Sequence, residues 1–365
     1  KGGLHLDAPR AGIRLEDNRS ELNFSWGERD SLYSGHLSAD GELSSEADTV
    51  SYALHIHPSE FLYDGKLFKI RESDISLREE SVQFDSLRIE AQNKYILATG
   101  TYSNQEDDEI HIDLKNLNIE TFTKFFNNLR LDIGGNLSGT ATLKREEMKP
   151  LFISDLTIDS LQINEELIGD THLEARWRDR TQTLDLSMIS RRKNVRTIDI
   201  QGDYVPASEK LDFAVHMEDI HLFMINPYMS SVIQDIDGIG LADLTVDGTL
   251  SQPVINGIIG FQNTTATVDF LKTEYRFSDV IKIYQNDLFF EEFEIFDRYG
   301  NRSVISGEVS NRDFQDFNLS LELNAQEFQF LNTSSADNEQ FYGDVYGTGR
   351  RSEEHTSELQ SLLII

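Results

Sequence analysis

Run after run of this chain alternates apolar with polar residues, and few folds accept such a pattern. Ile110, Ile112 and Leu114 alternate with His111 and Asp113, and Leu184, Leu186 and Met188 with Asp185 and Ser187. Leu211, Phe213, Val215 and Met217 are separated by Asp212, Ala214 and His216; Phe317, Leu319, Leu321 and Leu323 by Asn318, Ser320 and Glu322. Successive side chains of a strand point to opposite faces, so each run has one apolar and one wet face. Sheets of that kind are antiparallel; parallel strands are apolar on both faces. Proline is scarce, six in all, as long central strands require. The predicted fold class is all-β: a long curled antiparallel sheet, a β-taco or repeating β-groove, with a few short helices.

Helical spacing occurs twice. Phe122, Phe125, Phe126 and Leu129 form one stripe, and Ile225, Tyr228, Met229 and Val232 the other. Thr123 in the first copy and Asn226 in the second are predicted N-caps, with Pro227 at the first helical position. The copies are 225 − 122 = 103 residues apart. Other elements keep nearly the same spacing. Leu117 and Ile119 match Ile220 and Leu222, with a third such element at Phe328 and Phe330; Gly100, Gly202 and Gly307 end three alternating runs. An internal repeat of about 100 residues follows, and repeats build arrays in which each unit chiefly contacts its neighbours. The expected organisation is a partial repeat at 1–104, repeats at 105–206 and 207–311, and the start of another at 312–349.

Residues 350–365 are expected to be a non-native tail. The stretch from Arg351 to Ser361 resembles the translation of a sequencing-library adapter, and the chain reads as a fragment of something longer.

Composition removes several functions. With 33 Lys+Arg against 64 Asp+Glu, the net charge of −31 leaves no basic footprint for nucleic acid. It equally disfavours a polybasic contact with anionic lipid headgroups. Cysteine is absent, so thiolate catalysis, disulfides and cysteine metal sites are excluded. The 22 Phe are too many for a disordered acidic chain. No run approaches the ~18 apolar residues of a membrane span. No catalytic residue, metal site or cofactor is predicted. Carboxylates abound, but solvated strand faces account for them. His55 and His57 share a strand face without a third ligand at meaningful spacing. Glu106 to Glu109 lacks the glycine-punctuated calcium pattern.

A long sheet with one apolar face must cover it. A second sheet does so in a sandwich; a curled sheet leaves a trough, and an exposed apolar trough marks a binding surface. Acyl chains suit it, since a sixteen-carbon chain gains on the order of 13 kcal/mol gross at about 0.8 kcal/mol per buried CH₂. The expected trough lining is the set of alternating residues named above: Ile110, Ile112, Leu114, Leu184, Leu186, Met188, Leu211, Phe213, Val215, Met217, Phe317, Leu319, Leu321 and Leu323.

The phrase from Val246 to Gly257, with Gly248-Thr249, Pro253 and Gly257, opens an ordered series. It continues through Tyr275, Phe289-Phe290, Phe293, Ile295, Asp297, Gly300-Asn301 and Ser306-Gly307 to the run from Phe341 to Gly349. This series resembles the TamB family of translocation and assembly module subunits, within the AsmA-like group, in its Bacteroidetes-type version. The likeness is clearest over about 215–349 and weaker over 35–214. It implies a periplasmic protein of envelope biogenesis, anchored in the inner membrane through an N-terminal segment outside this fragment. Further implications are phospholipid transport between the membranes, protein secretion and outer-membrane protein assembly, and an outer-membrane partner barrel of the Omp85 type. The rival reading is an extracellular β-sandwich or solenoid that binds glycans or partners.

Overall fold

The structure is a computed structural model that describes residues 9–27, 33–46, 49–63, 65–105, 107–120, 132–146, 149–229, 233–311, 317–337 and 342–356. Among the described residues the chain is all-β: 24 antiparallel strands of one sheet, with very little helix. It divides into two compact units, residues 1–161 with 170–178, and 162–169 with 179–365. The division falls inside strands β12 (Lys149–Ile163) and β13 (Glu166–Arg178).

Each unit is an up-and-down meander. In the first, β1 (Arg10–Glu16), β2 (Arg19–Trp26) and β3 (Ser34–Glu46) pair in order. Next come two interrupted strands, β4 (Thr49–Ile56) with β5 (Ser59–Tyr63), and β6 (Lys66–Ile70) with β7 (Ser73–Arg78). Then β8 (Ser81–Ala91), β9 (Lys94–Tyr102), β10 (Glu109–Asn118) and β11 (Ile133–Glu146) complete the order. The second unit runs β14 (Thr183–Arg192), β15 (Val195–Val205), β16 (Lys210–His221), β17 (Ile233–Gly248) and β18 (Pro253–Val268). An interrupted strand follows, β19 (Thr273–Phe277) with β20 (Val280–Tyr284), then β21 (Asp287–Asp297), β22 (Arg302–Asn311), β23 (Phe317–Thr333) and β24 (Gly343–Thr356). Tight hairpins join many of them. Asn164 and Glu165 (φ 48° and 68°), and Gln285 and Asn286 (φ 51° and 74°), form two-residue turns with both residues left-handed, whose twist matches the strands.

β-Bulges punctuate the strands. Pairing shifts between Phe84 and Leu87, Leu114 and Leu117, Met217 and Ile220, Phe290 and Phe293, and Ala325 and Phe328. Each is a place where two polar residues separate two apolar ones. The extra residue lets apolar side chains three apart in sequence keep the same face. At four of these bulges a polar residue takes the left-handed conformation: Asn116, Asp219, Glu292 and Glu327, with φ between 51° and 55°. At three of the four the freed N–H is caught by a hydroxyl from a neighbouring strand: Asn116 by Ser138 (2.9 Å), Glu292 by Ser306 (3.3 Å) and Glu327 by Thr348 (2.8 Å). Three of the left-handed residues recur at 219 − 116 = 103 and 327 − 219 = 108. The recurring glycines have a backbone cause. A Cβ on Gly100, Gly202 or Gly307 would lie within 2.2 Å of the carbonyl oxygen of Glu109, Asp212 or Ser320 on the next strand.

The second unit curls on itself at one end. The β21–β22 hairpin stops short there, and β23 reaches across to β19: the Asn332 N–H donates to the Leu271 carbonyl (2.9 Å) and the Tyr275 hydroxyl to that of Gln329 (3.1 Å). Tyr275 stacks on Phe328 with centroids 5.1 Å apart, and Phe293 and Ile295 pack with them. Burial pushes the Tyr275 hydroxyl up to about 12. Asp297 holds this corner and is fully shielded from solvent. Its carboxylate accepts from the N–H groups of Tyr299 and Asn301 (both 2.9 Å), the Asn301 amide (3.0 Å) and the Gln329 N–H (3.1 Å). Burial alone would raise its pKa; these four donors outweigh burial and hold it below the usual carboxylate value.

One expectation needs correction. Asn226 is not an N-cap: the helical segment begins earlier, as a 3₁₀ turn at Leu222–Ile225, and runs into α1 (Asn226–Met229). Asn226 is itself helical, and its amide serves tertiary packing, accepting from the Ile236 N–H (2.9 Å). The first residues of the expected non-native tail continue β24 through Thr356, pairing Arg351 with Leu323 and Thr356 with Asn318. An unpaired strand edge accepts any extended segment, whatever its origin. Just before the first helical stripe Ile119 and Glu120 are helical, while the stripe itself, 122–129, lies outside the described residues, as does Val232 of the second.

Asp297→Ala leaves four donors unpaired and is expected to cost on the order of 3 kcal/mol of unfolding free energy in urea titrations at pH 7. Because the folded-state pKa is depressed, the wild-type carboxylate stabilises above the unfolded value of about 3.9. That advantage fades as pH falls through the folded value, so the two proteins should converge in acid. A constant gap down to low pH would contradict the assignment.

Candidate functional site

Cross-strand partners share a face of the sheet, so the register shows which candidates lie together. In the second unit Leu184 pairs with Tyr204 and Tyr204 with Leu211; Leu186 with Gly202 and Gly202 with Phe213; Met188 with Ile200 and Ile200 with Val215. From Val215 one rung continues through Leu244, Gly257, Ile283, Leu288 and Val309 to Leu319. That rung crosses nine strands, about 38 Å at ~4.8 Å per strand. Met217 leads the next one, through Ala242 and Ile259 to Ile281. Leu321 and Leu323 pair with Gly307 and Ile305, which face Phe290 and Phe293. The second-unit candidates with described side chains therefore form one apolar face. The side chain of Phe317 lies outside the described residues.

The first unit carries the same construction. One rung runs Leu54, Ile75, Phe84, Gly100, Ile110 and Leu143. Ile112 pairs with Ala98 and Ala141, and Leu114 with Ile96 and Gly139.

Burial separates this lining from an ordinary core. Ile110, Leu184 and Leu211 are buried. Ile112, Leu114, Leu186, Met188, Phe213, Val215, Met217, Leu319, Leu321 and Leu323 are only half-buried. The side chains most completely removed from solvent are mostly polar: Thr197, Thr264, Thr273, Asp297, Ser190, Ser303 and Gln329, beside Phe328 and Ile168. In a two-layer sandwich the interdigitated inner faces are the core, and their large apolar residues are the most deeply buried. Full burial reaches the Asp297 corner; a second polar cluster, around Arg192, buries Glu166 and covers most of Arg192.

That second cluster is a polar junction. Arg192 donates to the Glu166 and Asp219 carboxylates and to the carbonyls of Leu167 and Asp219. Glu166 also pairs with His221 (3.1 Å). Burial works against the guanidinium charge, and the two carboxylates outweigh it, so Arg192 holds its proton more tightly than usual. Its site was not legible in the sequence, since Arg192 and Glu166 are 26 residues apart without a motif.

On the opposite, wet face, histidines pair with carboxylates across strands. His216 meets Asp243 (2.5 Å) and His172 meets Asp155 (2.8 Å). His55 contacts Asp74 through Nδ1 (2.7 Å) and Glu72 through Nε2 (3.1 Å), and His57 contacts Asp40 (2.8 Å). Both nitrogens of His55 are thus engaged. Among the described residues no group of three His, Asp or Glu side chains is arranged to hold a metal ion. No helix among them is long and apolar enough to cross a membrane.

The Asp74 hydrogen bond, with help from Glu72, raises the His55 pKa above its ordinary value. A raised pKa means that the pair stabilises the fold fully below the unfolded value of about 6.5, and that the gain disappears as pH climbs through the folded value. NMR titration of His55 should give a midpoint above 6.5 that drops in Asp74→Asn. A midpoint unchanged by Asp74→Asn would contradict the pairing.

Comparison of the chain with protein-family models, curated proteins and solved structures finds no match.

Proposed function

We propose that this protein is a non-enzymatic hydrocarbon conduit of the bacterial envelope, whose apolar sheet face carries phospholipid acyl chains between membranes. Support comes chiefly from one observation: the apolar rungs are continuous across many strands, yet their side chains stay half-buried. Hydrocarbon contacts have no direction and no preferred register, so a chain sliding along a rung from strand to strand keeps nearly the same energy. The glycines within the rungs lower the wall locally without adding a polar group.

The TamB-type resemblance adds the setting: the periplasm, an inner-membrane anchor outside this chain, and an Omp85-type barrel as outer-membrane partner. Protein secretion and outer-membrane protein assembly belong to the same reading. The runner-up is a glycan- or partner-binding surface protein. It draws on the exposed ring pair Tyr299 and Tyr346, 6.0 Å apart, beside Asn301, Glu327 and Thr348.

A photoreactive residue placed at Phe213 or Leu321 in cells should capture phospholipid, whereas one at Asp212, on the wet face, should not. Phe213→Asp should cut capture from the neighbouring rung by about tenfold, because burying a carboxylate beside a hydrocarbon chain costs more than 1.4 kcal/mol. Capture confined to Asp212 would overturn the conduit.

A further inference from the structure

We infer that the helical connection Leu222–Met229 is a gate that occupies a hydrocarbon subsite with the chain's own side chains. The inference rests on the conduit reading and deepens it. Beyond the rung through Met217 and Ala242, the next one consists of Ile220, Gly240 and Phe261. Gly240 has no side chain to contribute, and Leu222 fills the space above it. A Cβ built on Gly240 would stand 2.7 Å from Leu222 Cδ2 and 3.5 Å from its Cγ. Leu222 is buried against Ile236 and Ala266, with Ile225, Phe261 and Phe277 around them. These neighbours are aliphatic and aromatic, and what they enclose is a branched hydrocarbon. An acyl chain offers the same chemistry, so Leu222 and the lipid compete for one place.

Polar contacts at the rim hold the segment there. Asn164 donates to the Met224 carbonyl (2.8 Å), and Asn226 exchanges hydrogen bonds with the backbone of Ile236 (2.9 and 3.3 Å). His221, immediately before the turn, is fixed to Glu166. Side-chain contacts of this sort break individually, whereas the strand ladder beneath does not. The segment is therefore the element that yields when an acyl chain spreads from the Met217 rung onto the one beside it.

Because the chain has no cysteine, a single engineered pair gives an unambiguous lock. Leu222→Cys with Gly240→Cys places the two sulfurs within reach of a disulfide. The probe is phosphatidylethanolamine carrying a diazirine acyl chain, supplied from vesicles, with adducts mapped by peptide mass spectrometry. In the oxidised protein, adducts at Ile236 and Ala266 should fall by about fivefold or more relative to the same protein reduced, while those at Val215 and Leu244 persist. Leu222→Ala, which empties the subsite without a crosslink, should raise adducts at Ile236 and Ala266. Equal labelling of Ile236 and Ala266 in both redox states, with Val215 and Leu244 labelled, would reject the gate and spare the conduit. No adducts at Val215 or Leu244 in any form would reject the conduit and the gate with it.

Discussion

Cross-strand register is the constraint on which the rest of this molecule depends. A slip of one residue in any pair would carry a strand's apolar set from one face to the other and interrupt every rung it joins. Strands of up to 17 residues make such slips easy to imagine. The chain counters them with bulges at defined places, four of them holding a polar residue left-handed and three of those closed by a hydroxyl from the next strand. A bulge also bends its strand, so the device that protects the register also favours curling of the sheet.

The sheet buries part of its apolar set and leaves much of the long apolar face half-covered, while a few polar junctions take charged groups out of water. Around Asp297 one carboxylate gathers four donors from its own hairpin and from β23. Around Arg192 one guanidinium gathers two carboxylates and two carbonyls. Such groups tolerate burial because their hydrogen bonds are nearly all made. Most ion pairs elsewhere are exposed and add little to stability. The 64 Asp+Glu against 33 Lys+Arg leave an excess of carboxylates that keeps the wet face hydrated and negative, which sets it apart from the uncharged lining behind it.

Much of this was legible in the sequence. Alternation in runs such as Leu211 to Met217 gives strand, face and antiparallel pairing directly. The same rule explains what it misses: Met217 and Ile220 are out of phase in sequence, and only the bulge at Asp219 returns them to one face. The signal was present as two polar residues between apolar ones, at Glu218-Asp219 and again at Glu291-Glu292. Asn226 followed by Pro227 carries the local signature of a helix start, but a 3₁₀ turn precedes it and the amide is drawn to Ile236 instead. The pairing of Arg192 with Glu166, and of Asp297 with Gln329, depends on distant strands and has no local trace.

A long apolar face open to small nonpolar molecules, within a single sheet, is the claim that matters most. Nitroxide labels at Val215, Leu244, Ile283 and Val309, one rung of the second unit, test it through collision rates with oxygen and with a polar nickel complex. Frequent oxygen collisions at all four, and few with the nickel complex, are expected. Immobile labels that neither reagent reaches would mean that the face is sealed by protein, and would contradict it.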